Sequence, residues 1–94
     1  MTYSIVIATH NRASELEQTL ASLAELRTAG SWEVVVCDNN STDDTAGVVA
    51  RAAASFPAPL RYVFEREPGR SAALNTAITA SSGDLILTVL HGPG

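Results

Sequence analysis

Residues 32–45 constrain the fold most strongly, because an apolar run there ends abruptly in polar residues. Residues 32–37 are Trp-Glu-Val-Val-Val-Cys, a β-rich segment that follows Gly30 and Ser31 and is typical of a strand buried on both faces. Residues 38–45 consist only of Asp, Asn, Ser and Thr. The pattern therefore predicts a strand that ends in a polar turn.

This polar turn also carries a signal for the start of a helix. Ser41 stands three residues before Asp44, a capping-box spacing in which the hydroxyl bonds free helix N–H groups and the acid faces the positive end of the helix dipole. We predict a helix from about Thr42. A strand, a turn and a helix in this order present side chains at the carboxyl end of a parallel sheet, which puts Asp38 at that edge.

The composition indicates one small soluble domain. Ninety-four residues with 46% hydrophobic content suffice for one core and not for two. A net charge of -4, with six Lys and Arg in total, argues against binding to nucleic acid or to an anionic membrane. The single cysteine, Cys37, excludes a disulfide within the chain, and we interpret it as a core residue. No apolar run is long enough to span a membrane and no charged leader starts the chain, so we expect a cytoplasmic protein.

Strand and helix patterns alternate along the chain. Ser14 and Glu17 repeat the capping-box spacing at the start of the first helix. Strands are predicted over residues 3–8, 32–37, 60–64 and 84–90, and helices from Ser14 towards Gly30, from Thr42 towards Pro57, and over residues 71–80. The buried sides of the first and third helices are predicted to be Leu16, Leu20, Leu23 and Leu26, and Leu74, Ala77 and Ile78, respectively.

The alternation of strands and helices defines the fold class. Strand centres lie roughly 27 residues apart, close to the length of a βαβ unit. We therefore predict an α/β fold with a four-stranded, mainly parallel sheet and helices on both faces. Residues 60–64 mix apolar and polar side chains, as an edge strand does.

In such a sheet the carboxyl ends of the strands gather residues 9–12, 38–40 and 65–67 and the segment around His91. A polar crevice at this edge suits a ligand with hydroxyl, imide and phosphate groups, such as a nucleotide. The chain lacks a Gly-x-Gly-x-x-Gly turn after its first strand and contains no lysine, so glycine-rich phosphate loops are excluded. Recognition would fall to side chains: Asp38 as an acceptor of base N–H or ribose hydroxyl groups, and Arg12 or Arg70 facing phosphate.

Four blocks carry a resemblance to a known family: Val-Ile-Ala-Thr-His-Asn-Arg at residues 6–12, and the segments 35–45, 69–78 and 83–87. Together they resemble the N-terminal blocks of the family 2 inverting glycosyltransferases, which have the Rossmann-like GT-A fold. The resemblance covers residues 3–87. It implies that the chain is the nucleotide-binding half of an enzyme that transfers a sugar from a nucleotide-diphosphate donor to an acceptor hydroxyl.

The resemblance also assigns roles to individual residues. It implies that Thr9 and Asp38, which end the first and second strands, contact the nucleobase and ribose, and that Arg12 is the arginine of the family's Asn-Arg pair. Because other members carry arginine at the place of Leu74, the diphosphate contact falls on Arg70 or is lost. The substrate-binding set expected on this basis is Thr9, Asn11, Arg12, Asp38, Asn40 and Arg70.

Simpler interpretations stay open for several of these residues. Asp38 can be a solvated acid or can cap its own loop, and the Thr9 hydroxyl can bond within its loop. An exposed salt bridge explains Arg12 equally well. We interpret His10 as a variable loop residue rather than a base or a metal ligand.

The chain departs from the family after residue 87. The resemblance implies a following Asp-x-Asp cluster that binds Mg²⁺ or Mn²⁺ on the donor diphosphate, whereas this sequence reads Leu90-His91-Gly92. The general base of the family lies beyond residue 94. We therefore expect residues 1–94 to be a single, truncated domain with an atypical tail at 88–94, without a catalytic residue and without a tightly bound metal.

Two further expectations follow from this departure. The chain is expected to bind the donor without turnover, and the alternative is a non-catalytic nucleotide-binding or self-associating fragment. An uncovered apolar fourth strand recruits other chains, so we expect a homo-oligomer formed through that strand.

Overall fold

Four strands and three helices alternate along the chain in a computed structural model, which describes residues 2–26 and 30–90 without the side chains of Arg70 and Leu90. This confirms the predicted order of elements. The elements are β1 (Thr2–Thr9), α1 (Ala13–Leu23), β2 (Ser31–Asp38), α2 (Thr45–Ala53), β3 (Leu60–Phe64), α3 (Arg70–Ala80) and β4 (Leu85–Leu90).

The strands form one sheet in the order β3-β2-β1-β4, and every neighbouring pair is parallel. The prediction of a parallel sheet is confirmed, as is the position of β3 at an edge. The register sets Thr9 opposite Asp38 and Asp38 opposite Phe64. The carboxyl ends of β1, β2 and β3 therefore meet at one edge of the sheet, which we call the carboxyl rim.

The helices cover both faces of the sheet, as predicted. On one face α1 and α2 bury Leu16, Leu20 and Val49 against alternate residues of β1 and β2. On the other face α3 packs Ala73 and Ala77 against Cys37 and its neighbours. Alanine lets α3 approach the sheet closely, and full burial of each larger aliphatic side chain contributes about 1.5–3 kcal/mol.

Two helix faces differ from the prediction. Because α1 ends at Leu23, Leu26 is not part of the predicted apolar face and is 43% exposed. Ile78 is 41% exposed, since Ala73 and Ala77 already fill the contact with the sheet. Beyond the end of α2 at Ala53, the ring of Phe56 packs on Trp32, with 5.6 Å between ring centroids.

Both predicted capping boxes are wrong. The helix α2 begins at Thr45 rather than near Thr42, because the Ser41 hydroxyl accepts a 2.9 Å hydrogen bond from the Asn11 N–H. The helix α1 begins at Ala13, one residue before the serine expected to cap it.

One carboxylate, that of Asp43, serves the starts of both helices. Its Oδ2 accepts from the Ala13 N–H at 3.1 Å, and its Oδ1 accepts from the N–H of Thr45 at 3.2 Å and from the Thr45 hydroxyl. A negative charge at the positive ends of two helix dipoles is stabilising. The hydroxyl bond, outweighing a small effect of burial, together with the backbone bonds lowers the pKa of Asp43.

A buried acid, Glu33, ties the opposite end of the sheet together. Its carboxylate accepts hydrogen bonds from the Ser4 hydroxyl at 2.6 Å and the Ser82 N–H at 2.7 Å, and it pairs with Arg61. Burial alone would raise the pKa of Glu33, but these bonds lower it to about 2. The cluster joins β1, β2 and β3 to the turn before β4. A Cβ at Gly83 would collide with Ser4 in this turn, which explains the glycine.

Candidate functional site

Hydrogen bonds between backbone groups join the loops of the carboxyl rim. The Asn39 N–H donates to the Thr9 carbonyl at 2.8 Å, and the Glu65 N–H donates to the Asp38 carbonyl at 2.8 Å. The loops after β1, β2 and β3 therefore form one surface, as predicted. The predicted contribution of the segment around His91 lies outside the described residues.

Thr9 and Asp38 lie side by side at the centre of this surface. They are partners in the β1–β2 register, and alternation along the strands puts both side chains on the face covered by α1 and α2. Both are buried, with exposed fractions of 1% and 2%. The two residues expected to contact the nucleoside are thus brought together.

Their hydrogen bonding differs in a way that matters for a ligand. Thr9 Oγ1 has no partner among the described residues, although it is buried. A buried polar group without a partner costs about 1–3 kcal/mol, so this hydroxyl is suited to bond a ligand atom. The alternative that the Thr9 hydroxyl bonds within its own loop is not realised in the described structure.

The Asp38 carboxylate is held from two sides. Oδ1 accepts from the Ser41 N–H at 2.8 Å, and Oδ2 accepts from the Tyr62 hydroxyl at 2.6 Å. The first contact is the loop-capping interaction considered as an alternative from the sequence. A carboxylate offers about four acceptor positions, so the two bonds leave capacity on each oxygen for a ligand.

Asn11 and Asn40 have a conformational reason to be asparagine. Their φ angles are 50° and 59°, in the left-handed region that asparagine tolerates better than most residues. The Asn11 side chain crosses to the second loop, where its Oδ1 accepts from the Thr42 N–H at 2.8 Å. The Asn40 side chain is exposed at the rim.

His10 connects the same two loops. Its Nδ1 lies 2.7 Å from the Asn39 carbonyl oxygen, which only accepts, so Nδ1 carries the proton. Its Nε2 lies 3.3 Å from Asn11 Nδ2 and accepts from it. His10 thus has a structural role in the rim, which the interpretation as a variable loop residue did not include.

Asn39 was predicted to lie at the rim but was not included in the expected substrate-binding set. Its Nδ2 donates to the carbonyls of Glu65 at 3.2 Å and Glu67 at 2.7 Å, and its Oδ1 accepts from the Gly69 N–H at 3.2 Å. Gly69 has φ of 116°, a conformation that favours glycine. Asn39 therefore fixes the third loop and the start of α3. Its place directly after Asp38 was the available signal.

Of the two arginines expected near phosphate, the structure describes the side chain of Arg12 but not that of Arg70. Arg12 lies 3.6 Å from Glu15, and both side chains are more than two-fifths exposed. The salt bridge considered as an alternative is therefore present, although such a surface pair contributes little to stability. Because the Arg12 side chain is exposed, its guanidinium also remains accessible to a ligand. Arg70 begins α3 at the rim, but its side chain lies outside the described part of the structure.

Acidic side chains at the carboxyl rim are engaged by groups of the protein. Within residues 2–26 and 30–90, no three His, Cys, Asp or Glu side chains are arranged to hold a metal ion. The rim carboxylates bond protein groups: Asp43 holds two helix starts, and Glu65 accepts from the Thr76 hydroxyl and the Glu67 N–H, and these bonds lower the pKa of Glu65.

Within residues 2–26 and 30–90, the helices are too short to cross a bilayer.

Fold and site together define a class of protein. The strand order reverses at β1, which lies between β2 and β4, and polar residues converge at the carboxyl ends there. This is the location of ligand sites in open parallel α/β sheets. A family model, Glycosyl transferase family 2, matches residues 4–91, and the chain belongs to this family.

Curated relatives agree with this assignment. A validoxylamine A glucosyltransferase of Streptomyces hygroscopicus subsp. jinggangensis is 46% identical over 69 residues, which are 70% of this chain and 15% of the relative. The succinoglycan biosynthesis protein ExoU of Rhizobium meliloti is 45% identical over 84 residues, 87% of this chain and 23% of the relative. The chain thus spans less than a quarter of the length of these two relatives.

Solved structures confirm the GT-A fold. A mannosyltransferase from Pyrobaculum calidifontis, in complex with GDP-Man and Mn²⁺, superposes with a TM-score of 0.80 at 34% identity, over 89% of this chain and 25% of that protein. Glucosyl-3-phosphoglycerate synthase from Mycobacterium tuberculosis, in complex with Mn²⁺, UDP and glucosyl-3-phosphoglycerate, gives 0.77 at 26% identity, over 95% and 33%.

Proposed function

We propose that this chain is the donor-binding part of a family 2 glycosyltransferase and that it binds a nucleotide-diphosphate sugar at the carboxyl rim. The substrate-binding residues on this proposal are Thr9, Asn11, Arg12, Asp38, Asn40 and Arg70. The names of two solved relatives, which include GDP-Man and UDP, support a nucleotide donor.

The observation that carries the proposal is the pairing of Thr9 with Asp38. A buried hydroxyl without a protein partner lies next to a carboxylate with unused acceptor capacity. An ionised carboxylate only accepts, whereas a hydroxyl both donates and accepts. Together they match the N–H, carbonyl and hydroxyl groups of a nucleoside better than they match an apolar ligand.

On this proposal the described residues bind and orient the nucleotide-sugar donor and do not themselves react. In an inverting transfer an acceptor hydroxyl attacks the anomeric carbon while the nucleoside diphosphate leaves, so holding the nucleoside fixes the position of the reacting carbon. The sequence Leu90-His91-Gly92 stands where the family resemblance implies acidic metal ligands. We propose that this chain on its own binds the donor without transferring the sugar.

Isothermal titration with UDP, GDP, CDP and dTDP, each with and without Mn²⁺, tests the proposal. The informative variant is Asp38→Asn, which preserves an acceptor for the Ser41 N–H, and the control is Asp84→Asn, at the opposite end of the sheet where Asp84 accepts from the Thr2 N–H. We expect one nucleotide to bind, and Asp38→Asn to weaken it about 10- to 100-fold, the usual effect of losing a charged hydrogen bond. Failure of all four nucleotides to bind, or unchanged affinity in Asp38→Asn, overturns it.

A second candidate function, self-association, is favoured by the exposed fourth strand. Leu85, Ile86 and Leu87 are 43%, 36% and 50% exposed, and β4 is an edge of the described sheet. Edge strands offer unpaired backbone groups to other chains. We propose that two copies pair through β4.

A further inference from the structure

We propose that Tyr62 is a positioning residue for donor binding: its hydroxyl holds the Asp38 carboxylate in the orientation that serves the nucleoside. The inference rests on the proposed function and adds a residue to it. Tyr62 belongs to none of the four blocks that carry the family resemblance, and it lies on the edge strand β3.

The strand register brings the two side chains together. Tyr62 pairs with Val36, two residues before Asp38 on β2, and alternation along both strands puts Tyr62 and Asp38 on the same face. The hydroxyl donates to Asp38 Oδ2 at 2.6 Å. This distance lies in the short range of hydrogen bonds donated by hydroxyls to ionised carboxylates.

Two contacts on different oxygens define the orientation of the carboxylate. The Ser41 N–H bonds Oδ1 at 2.8 Å, and the Tyr62 hydroxyl bonds Oδ2. With the backbone contact alone, the carboxylate can turn about its terminal torsion, which is broad for aspartate. With both contacts the remaining acceptor positions of the Asp38 carboxylate are fixed. They lie beside Thr9, the partner of Asp38 in the β1–β2 register.

The chemistry of the phenol supports this role. Burial raises the pKa of Tyr62 well above its ordinary value, and the bond to Asp38 raises it further. The phenol therefore remains protonated and acts as a donor. The residue is 37% exposed overall, yet its hydroxyl is directed at a carboxylate that is only 2% exposed.

The test is a double-mutant cycle on nucleotide affinity, with Tyr62→Phe and Asp38→Asn alone and combined, titrated with UDP, GDP, CDP and dTDP. Tyr3→Phe is the matched control, because Tyr3 is the other tyrosine of the chain and lies at the start of β1, away from the rim. Phenylalanine preserves the ring of Tyr62. Thermal unfolding of each variant verifies that it is folded.

We expect Tyr62→Phe to weaken binding about 5- to 10-fold in the wild-type background and less than twofold in the Asp38→Asn background, since interacting residues are not additive. Tyr3→Phe should bind as the wild type does. An equal loss in both backgrounds would mean that Tyr62 acts independently of Asp38 and would overturn the inference.

The cycle also separates this inference from the proposed function. If Asp38→Asn loses affinity and Tyr62→Phe does not, the positioning role is wrong while the donor site stands. If Asp38→Asn binds the nucleotide as tightly as the wild type, the proposed function fails and the positioning role fails with it.

Discussion

Asp43 accepts a 3.1 Å hydrogen bond from the backbone N–H of Ala13, thirty residues earlier in the chain. The same side chain bonds the N–H and hydroxyl of Thr45. One carboxylate, on the loop that follows Asp38, therefore holds the first residues of both α1 and α2. This shared cap links the starts of the two helices that cover the face of the sheet carrying Thr9 and Asp38.

Replacing Asp43 by alanine should destabilise the protein by about 1–2 kcal/mol, because helix caps typically contribute this much. Urea unfolding measures the change. The control is Asp44→Ala, since Asp44 makes no side-chain cap and its ion pair with Arg51 is largely exposed. We expect that control to change stability by less than about 0.5 kcal/mol. Equal losses in the two variants would contradict the shared cap.

Local patterns were sufficient to predict the order and type of the elements. The apolar runs of β1 and β2 and the alanine-rich pattern of α3 determine their structure through neighbours in sequence. Four parallel strands then follow from the alternation. Thr9 and Asp38 lie at one edge because they end their strands and parallel strands bring those ends together, whereas their expected role in donor binding came from the family resemblance.

The residues that sequence reasoning missed make contacts between distant segments. Ser41 has the spacing of a cap, but its hydroxyl bonds Asn11, thirty residues away. The contact of Tyr62 with Asp38 depends on the β2–β3 register, and the bonds of Asn39 depend on where the third loop lies. None of these partners is encoded in a local pattern.

Acid should weaken the fold through Glu33. Its pKa is lowered from 4.5 to about 2 in the folded chain. The contribution of ionised Glu33 to the free energy of unfolding is therefore complete above about pH 4.5 and is lost as the pH falls towards 2. The two values correspond to a contribution on the order of 3 kcal/mol. We expect Glu33→Gln to be less stable at neutral pH and to lose less stability between pH 4.5 and 2.

Denaturant unfolding at several pH values provides this comparison. Glu17→Gln is the control, because Glu17 is an exposed acid on α1. It should follow the wild-type pH dependence. A Glu33→Gln profile parallel to that of the wild type would contradict the role assigned to the buried carboxylate.

A charge on the fourth strand should prevent the proposed self-association. Leu87 is 50% exposed on β4, and a glutamate there would put like charges against each other when two copies pair. Sedimentation velocity over a range of concentrations should give dimers for the wild type and monomers for Leu87→Glu. Ile78→Glu, at a similarly exposed apolar residue on α3, should remain dimeric. A wild-type chain that is monomeric at high concentration would contradict the proposal.

Two buried threonines should respond oppositely to removal of their hydroxyls. Thr9 and Thr45 are 1% and 0% exposed, but only the Thr45 hydroxyl has a partner in the described structure, namely Asp43. Thr45→Val should lower the free energy of unfolding by about 1–3 kcal/mol, because it removes a bonded hydroxyl. Thr9→Val should leave the free energy of unfolding unchanged or raise it by up to about 1 kcal/mol.

Nucleotide affinity should show the reverse order. Thr9→Val should weaken binding of the nucleotide identified by titration about 5- to 10-fold, the effect of one lost hydrogen bond. Thr9→Ser keeps the hydroxyl and should retain affinity. Urea unfolding and calorimetric titration of the same preparations measure both properties. If Thr9→Val destabilises the fold as much as Thr45→Val does, its hydroxyl belongs to the fold and is not held for a ligand.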